Sequence, residues 1–230
     1  YTFLQENKKM AERQIKSKSR VKDHGEVFTA EREVKAMCDL AKDETERIDS
    51  RVLEPACGDG NFLAEILKRK LKTVNRYHKN NPSDWEKYSI VALSSLYGVD
   101  IQEDNVEECQ ARLFNIWLKT YKKAIHSFVS PDIDQSAKYI LSCNIICGDA
   151  LTLLKSDGNP IVFSEWSLVS GTLMKRRDFE LSTLLSMQEN GKQGDLFLSS
   201  DDFDSELGAY IPKPIKEFNP IEYWRLQCLK

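Results

Sequence analysis

Arg51-Val52-Leu53-Glu54-Pro55-Ala56-Cys57-Gly58-Asp59-Gly60-Asn61-Phe62-Leu63 decides the fold. Arg51 to Pro55 reads as a short strand, and two glycines two residues apart make the turn that follows it. A helix then starts near Asn61 and turns Phe62, Leu63, Ile66 and Leu67 inward. Upstream, Ala30 to Ile48 reads as a helix with Val34, Met37, Cys38 and Ala41 on one face. Downstream, Asn80-Asn81-Pro82-Ser83-Asp84 is a break, and Asp84 or Ser83 can cap a helix from Trp85 to Leu96. Tyr97-Gly98-Val99-Asp100-Ile101 is a second strand, followed by a long helix from Glu103 to Ile125. Asn144 to Asp149 is a third strand, and Pro160-Ile161-Val162-Phe163 a fourth, after the turn Ser156-Asp157-Gly158-Asn159. Strands alternating with helices predict an α/β fold with a mostly parallel sheet wound by right-handed crossovers.

The chain has 230 residues, 41% hydrophobic and 30% charged, with ten glycines and seven prolines. That excludes collagen, low-complexity disorder and a small disulfide scaffold. No apolar run approaches the roughly 18–20 residues that span a bilayer, and no secretory signal is visible, so a cytoplasmic protein away from membranes is expected. Net charge is −3, unlike a protein that binds duplex DNA by its bulk field. The balance is uneven, however. Residues 1–22 hold seven basic groups (Lys8, Lys9, Arg13, Lys16, Lys18, Arg20, Lys22) against Glu6 and Glu12, whereas Asp201, Asp202, Asp204 and Glu206 cluster near the other end. A basic arm suits a nucleic-acid or partner contact, or simply a solvated helix. The expected organisation is an arm over 1–24, a domain over 25–190 and a loop-rich extension of it over 191–230. Six cysteines form no C-x-x-C pair, and three histidines show no metal-ligand spacing, so neither disulfides nor zinc are expected.

In an open α/β sheet, ligands bind beyond the carboxyl ends of the strands. There the first strand offers Glu54 and the glycine turn. The second ends in Asp100, which can accept both hydroxyls of a ribose, with Ile101 beside it for an adenine face. The third ends in Asp149, which can accept from an adenine amino group. These features describe a pocket for a nucleoside cofactor. The dinucleotide pattern G-x-G-x-x-G fails, because Leu63 stands at the third glycine and Asp100 lies forty residues past Gly60. A phosphate loop is absent too. A glutamate before the turn would repel pyrophosphate but suits the cationic methionine end of S-adenosyl-L-methionine.

Leu53 to Leu63 resembles the cofactor motif of adenine-specific (N6) DNA methyltransferases of the type I modification-subunit group. Gly25-Glu26-Val27-Phe28-Thr29-Ala30 resembles the motif preceding it, Tyr97 to Ile101 the ribose motif, and Gly148-Asp149-Ala150 the adenine motif. The match keeps its order over about residues 20–165. It implies a Rossmann-like methyltransferase fold with helices on both faces of the sheet. It also implies S-adenosyl-L-methionine contacts from Thr29, Glu54, Ala56, Gly58, Asn61, Asp100, Ile101, Asp149 and Ala150. The group's Asn-Pro-Pro-aromatic tetrapeptide, which holds a flipped base after the fourth strand, is not recognisable. Asn159-Pro160 precedes that strand, Asn219-Pro220 lies far downstream, and Ser164-Glu165-Trp166-Ser167 keeps only an aromatic ring, leaving Glu165 and Trp166 as catalytic candidates. Lys175-Arg176-Arg177 falls where this group places DNA, but reads first as exposed charge. The expected function is DNA adenine-N6 methylation in a restriction-modification or phage-defence system, by this chain or with a partner subunit that supplies the missing motif and reads double-stranded DNA. A non-catalytic cofactor-binding scaffold, or a methyltransferase acting on RNA or protein, is the alternative.

Overall fold

A computed structural model describes residues 16–24, 27–185, 203–204, 209–210 and 213–229. The chain forms helices α1 (Lys18–His24), α2 (Glu31–Leu40) and α3 (Lys42–Glu46), then strand β1 (Val52–Glu54), helices α4 (Asn61–His78) and α5 (Pro82–Ser94), and strand β2 (Leu96–Asp100). Helices α6 (Glu103–Ile125) and α7 (Pro131–Asn144) lead to strand β3 (Ile145–Cys147). An antiparallel hairpin of β4 (Val162–Ser170) and β5 (Leu173–Glu180) follows, and then the short helix α8 (Leu181–Leu185). Short strands β6 (Phe203–Asp204) and β7 (Ala209–Tyr210) pair with each other, while β8 (Lys216–Glu217) and β9 (Ile221–Glu222) both pair with β5.

The parallel sheet runs β1-β2-β3, with Glu54 opposite Gly98 and Asp100 opposite Cys147. Its two faces bury different cores. Leu96 and Ile145, with Val52 and Cys147, join Leu63, Leu67, Trp85, Leu93 and Trp117 of the connecting helices. Tyr97 and Val99, with Leu53 and Ile146, pack instead on Ile161, Phe163, Phe179, Leu181 and Leu184. Residues alternate between these cores because strand side chains point to opposite faces. Consecutive strands joined by same-handed crossovers place every connecting helix on one face. The other face is covered by the hairpin and the short helix α8, so helices lie on both faces, four connecting helices on one and α8 alone beside a hairpin on the other.

The fourth strand is corrected. It runs antiparallel in a separate sheet, because Gly171, at φ +55°, opens a two-residue turn back into β5. The helix from Ala30 breaks at Ala41, where the Thr45 hydroxyl donates to the Cys38 carbonyl at 3.1 Å and takes an acceptor of the ladder. Val34 and Cys38 are buried, but Met37 is 54% exposed and Ala41 is exposed. Asn81, rather than Ser83 or Asp84, caps α5, accepting from the Asp84 amide with Pro82 in the first turn. Leu96 opens β2 instead of closing that helix. Helix α7 was not expected at all, although Ser130 caps it and Pro131 begins it. Lys8, Lys9, Arg13, Gly25, Glu26, Asp201, Asp202 and Glu206 lie outside the described residues. Among the described residues no helix is long and apolar enough to cross a membrane.

Candidate functional site

Three adjacent parallel strands end in Glu54, Asp100 and the residues leading to Asp149. The register puts Glu54 level with Gly98, so Glu54 and Asp100 share the face that α4 and α6 cover. Gly98 between them lets the turn settle onto β2, since a Cβ there would stand 3.0 Å from both Cys57 Sγ and Leu63 Cδ1. The Cys57 amide donates to the Val99 carbonyl at 2.8 Å, extending the ladder into the turn.

The turn is held from several sides. The Gly58 amide donates to Asp100 Oδ2 at 2.9 Å, and Asp100 Oδ1 accepts from the Gln102 amide at 2.9 Å and Asn105 Nδ2 at 3.1 Å. Arg112 of α6 donates to Asn61 Oδ1 at 2.5 Å and to Asp59 Oδ2 at 2.6 Å. Burial pushes the Asp59 carboxyl up despite Arg112, and its other oxygen has no hydrogen-bond partner among the described residues. Burial likewise pushes the Glu54 carboxyl up, against a hydrogen bond from the Ala56 amide. A half-buried carboxylate of this kind gains most from a cationic ligand group.

Thr29 reaches the turn, its carbonyl accepting from Asn61 Nδ2 at 3.5 Å, and a Cβ on Gly58 would stand 2.9 Å from the Phe28 ring. Ala56 is exposed and Ala150 half-buried. Asp149 accepts from the Leu151 amide at 2.8 Å, which keeps its carboxylate at the strand end. Ile101 is 57% exposed beside Asp100, an uncovered apolar surface at the rim. Every proposed cofactor residue therefore lies on one rim, around the carboxyl ends of β1, β2 and β3.

Glu165 and Trp166 do not. Glu165 is fully buried in mid-strand, paired with Arg51 just before β1 and with Arg177 at 3.0 Å. Trp166 Nε1 donates to Asn144 Oδ1 at 3.3 Å, immediately before β3. Both occupy the amino end of the sheet, opposite the rim at the carboxyl ends of β1, β2 and β3, and act there as structural pillars. Lys175, Arg176 and Arg177 are spent on Glu217, Asp178 and Glu165, so they form no free basic patch. Asn159-Pro160 sits in the turn before β4 and Asn219-Pro220 is exposed between β8 and β9. A cavity of about 1560 Å³ lies beside β1 near the amino end of the sheet, lined by Ser50, Arg51, Ser95 and Trp166 and reaching Pro55 and Ala150.

Residue reasoning overlooked Asn105, Cys109 and Arg112, which α6 presents to the turn. Their i, i+4, i+7 spacing was the available signal. No group of His, Cys, Asp and Glu that could hold a metal ion exists among the described residues.

No family model matches this chain, and no solved structure matches it. A protein of Methanocaldococcus jannaschii named "Putative type II restriction enzyme and methyltransferase" is 32% identical over 117 residues, covering 47% of this chain and 9% of the relative. The chain thus spans less than a tenth of the curated relative it matches, and the likeness to restriction-modification methyltransferases is a loose one.

Proposed function

We propose that this chain forms the S-adenosyl-L-methionine site of a DNA adenine-N6 methyltransferase in a restriction-modification or phage-defence system. The observation that carries this reading is the convergence of Glu54, Asp100, Asp149 and the glycine turn at the ends of three neighbouring strands. Glu54 meets the cationic methionine end, Asp100 the ribose hydroxyls, and Ile101 and Asp149 the adenine. Methyl transfer from a sulfonium needs in-line positioning more than acid–base help. Glu165 and Trp166 are at the wrong end of the sheet to hold a target base. A separate segment or partner subunit supplies that pocket and reads the double-stranded DNA.

Calorimetry with S-adenosylhomocysteine tests this. Asp100→Asn keeps the side-chain shape while removing its charge. It should weaken binding by at least about tenfold, the loss of one charge-assisted hydrogen bond. No binding by the wild-type chain, or equal affinity of the variant, overturns the assignment.

A further inference from the structure

The described end of the basic arm, residues 16–24, contacts α6 beside Asp100. Lys16, two residues before α1, places Nζ 2.7 Å from Asn105 Oδ1, 3.2 Å from Asp104 Oδ2 and 2.9 Å from Glu108 Oε2. Arg20 of α1 donates to both oxygens of Asp104, at 2.5 and 3.1 Å. Residues 16–20 are thereby seated on the first turns of α6. Asn105, 1% exposed, lies between Lys16 and Asp100, and its Nδ2 donates to Asp100 Oδ1 at 3.1 Å.

An ammonium only donates and a carboxylate only accepts. An amide held between them has one satisfying orientation, with oxygen toward Lys16 and nitrogen toward Asp100. Turned over, it would set its nitrogen against a cation and its oxygen against an anion. From Asp100 the chain continues to the Gly58 amide at 2.9 Å, inside the glycine turn. We infer that Lys16 is a positioning residue for ribose binding, acting through Asn105 on Asp100 and Gly58. The inference rests on the cofactor reading above and names how that site is set. Two of the arm's charges are consequently committed to α6, which also explains how a basic segment belongs to an acidic chain.

The test compares wild type, Lys16→Met and Lys16→Arg by calorimetry. The ligands are S-adenosylhomocysteine and its analogue lacking both ribose hydroxyls. Lys16→Met should bind S-adenosylhomocysteine about fivefold more weakly, close to 1 kcal/mol, and the dideoxy analogue unchanged. Lys16→Arg should restore the parent affinity. A merely structural role would weaken both ligands equally, and that result, or no loss at all, overturns the inference. Without ligand, Lys16→Met should speed hydrogen exchange at the Gly58 amide, and an unchanged rate also overturns it. Failure of the wild type to bind either ligand overturns the cofactor reading instead, and the relay is then judged on the Gly58 exchange alone.

Discussion

Gly60→Ala should be among the most damaging single-methyl changes in this protein. Gly60 immediately precedes α4 as its N-cap, at φ +88° and ψ +28°, in the left-handed region. An alanine Cβ there would stand 2.6 Å from Cys109 Sγ, 3.3 Å from Cys109 Cβ and 3.4 Å from its Cα. The sulfur can swing aside, but the Cβ and Cα belong to the frame of α6. The left-handed conformation costs about 1–2 kcal/mol for a residue with a Cβ, and overpacking about 1–3 kcal/mol. The expected loss is about 2–5 kcal/mol, a fall in Tm on the order of 10 °C for a chain of this size. Urea denaturation measures it. Gly158→Ala provides the control: its φ is +79°, yet nothing described lies within 4 Å of the added Cβ, so only the dihedral term remains. Introduced into a Cys109→Ala background, Gly60→Ala should cost less, because the sulfur contact is gone. Equal losses at Gly60 and Gly158 would refute the packing argument.

Glu165→Ala should cost about 3 kcal/mol, because it removes a buried carboxylate shared by Arg51 and Arg177; S-adenosylhomocysteine affinity should stay within about twofold, and a stable variant with lost affinity would return Glu165 to the site. Lys70 is fully buried, with Nζ on Ser95 Oγ and the Ser50 carbonyl, and burial lowers its pKa to about 7 from 10.5. The unfolded chain binds the extra proton between those values, so stability should rise as pH climbs from 7 to 10.5; the urea midpoint of Lys70→Met should lack that slope, and parallel profiles would contradict it. The Arg20 guanidinium, with Lys16, holds the Asp104 carboxyl down to about 2 from 3.8, so arm docking should persist above that range and be lost as pH falls through it. Asp104→Asn should remove this acid transition from hydrogen exchange in 16–24, whereas an unchanged transition would assign it elsewhere.

The elements that were legible in sequence are those whose signals are local. The Glu54-to-Asn61 turn, β2 and the 23-residue helix α6 follow from apolar periodicity and glycine placement, and they carry the candidate site. What escaped depends on partners distant in sequence. Ser164 to Ser167 has the composition of a strand end, yet Gly171 turns the chain so that those residues sit in mid-hairpin. Trp166 is an aromatic beside a carboxylate in sequence, and only packing on Asn144 shows it to be at the amino end of the sheet. Lys175 to Arg177 reads as exposed charge because Glu217, Asp178 and Glu165 arrive from elsewhere along the chain. Helix α7 is the exception, since Ser130-Pro131 is a local start signal that was overlooked.

The carboxyl rim is proposed here as the seat of S-adenosyl-L-methionine. Amide shifts in the uniformly labelled chain, titrated with S-adenosylhomocysteine, test it most directly. Saturable shifts at Gly58, Gly60, Ile101 and Ala150, with Glu165 and Trp166 unmoved, are the predicted result. No saturable shifts, or shifts centred on the Arg51–Glu165–Trp166 end of the sheet, would contradict it.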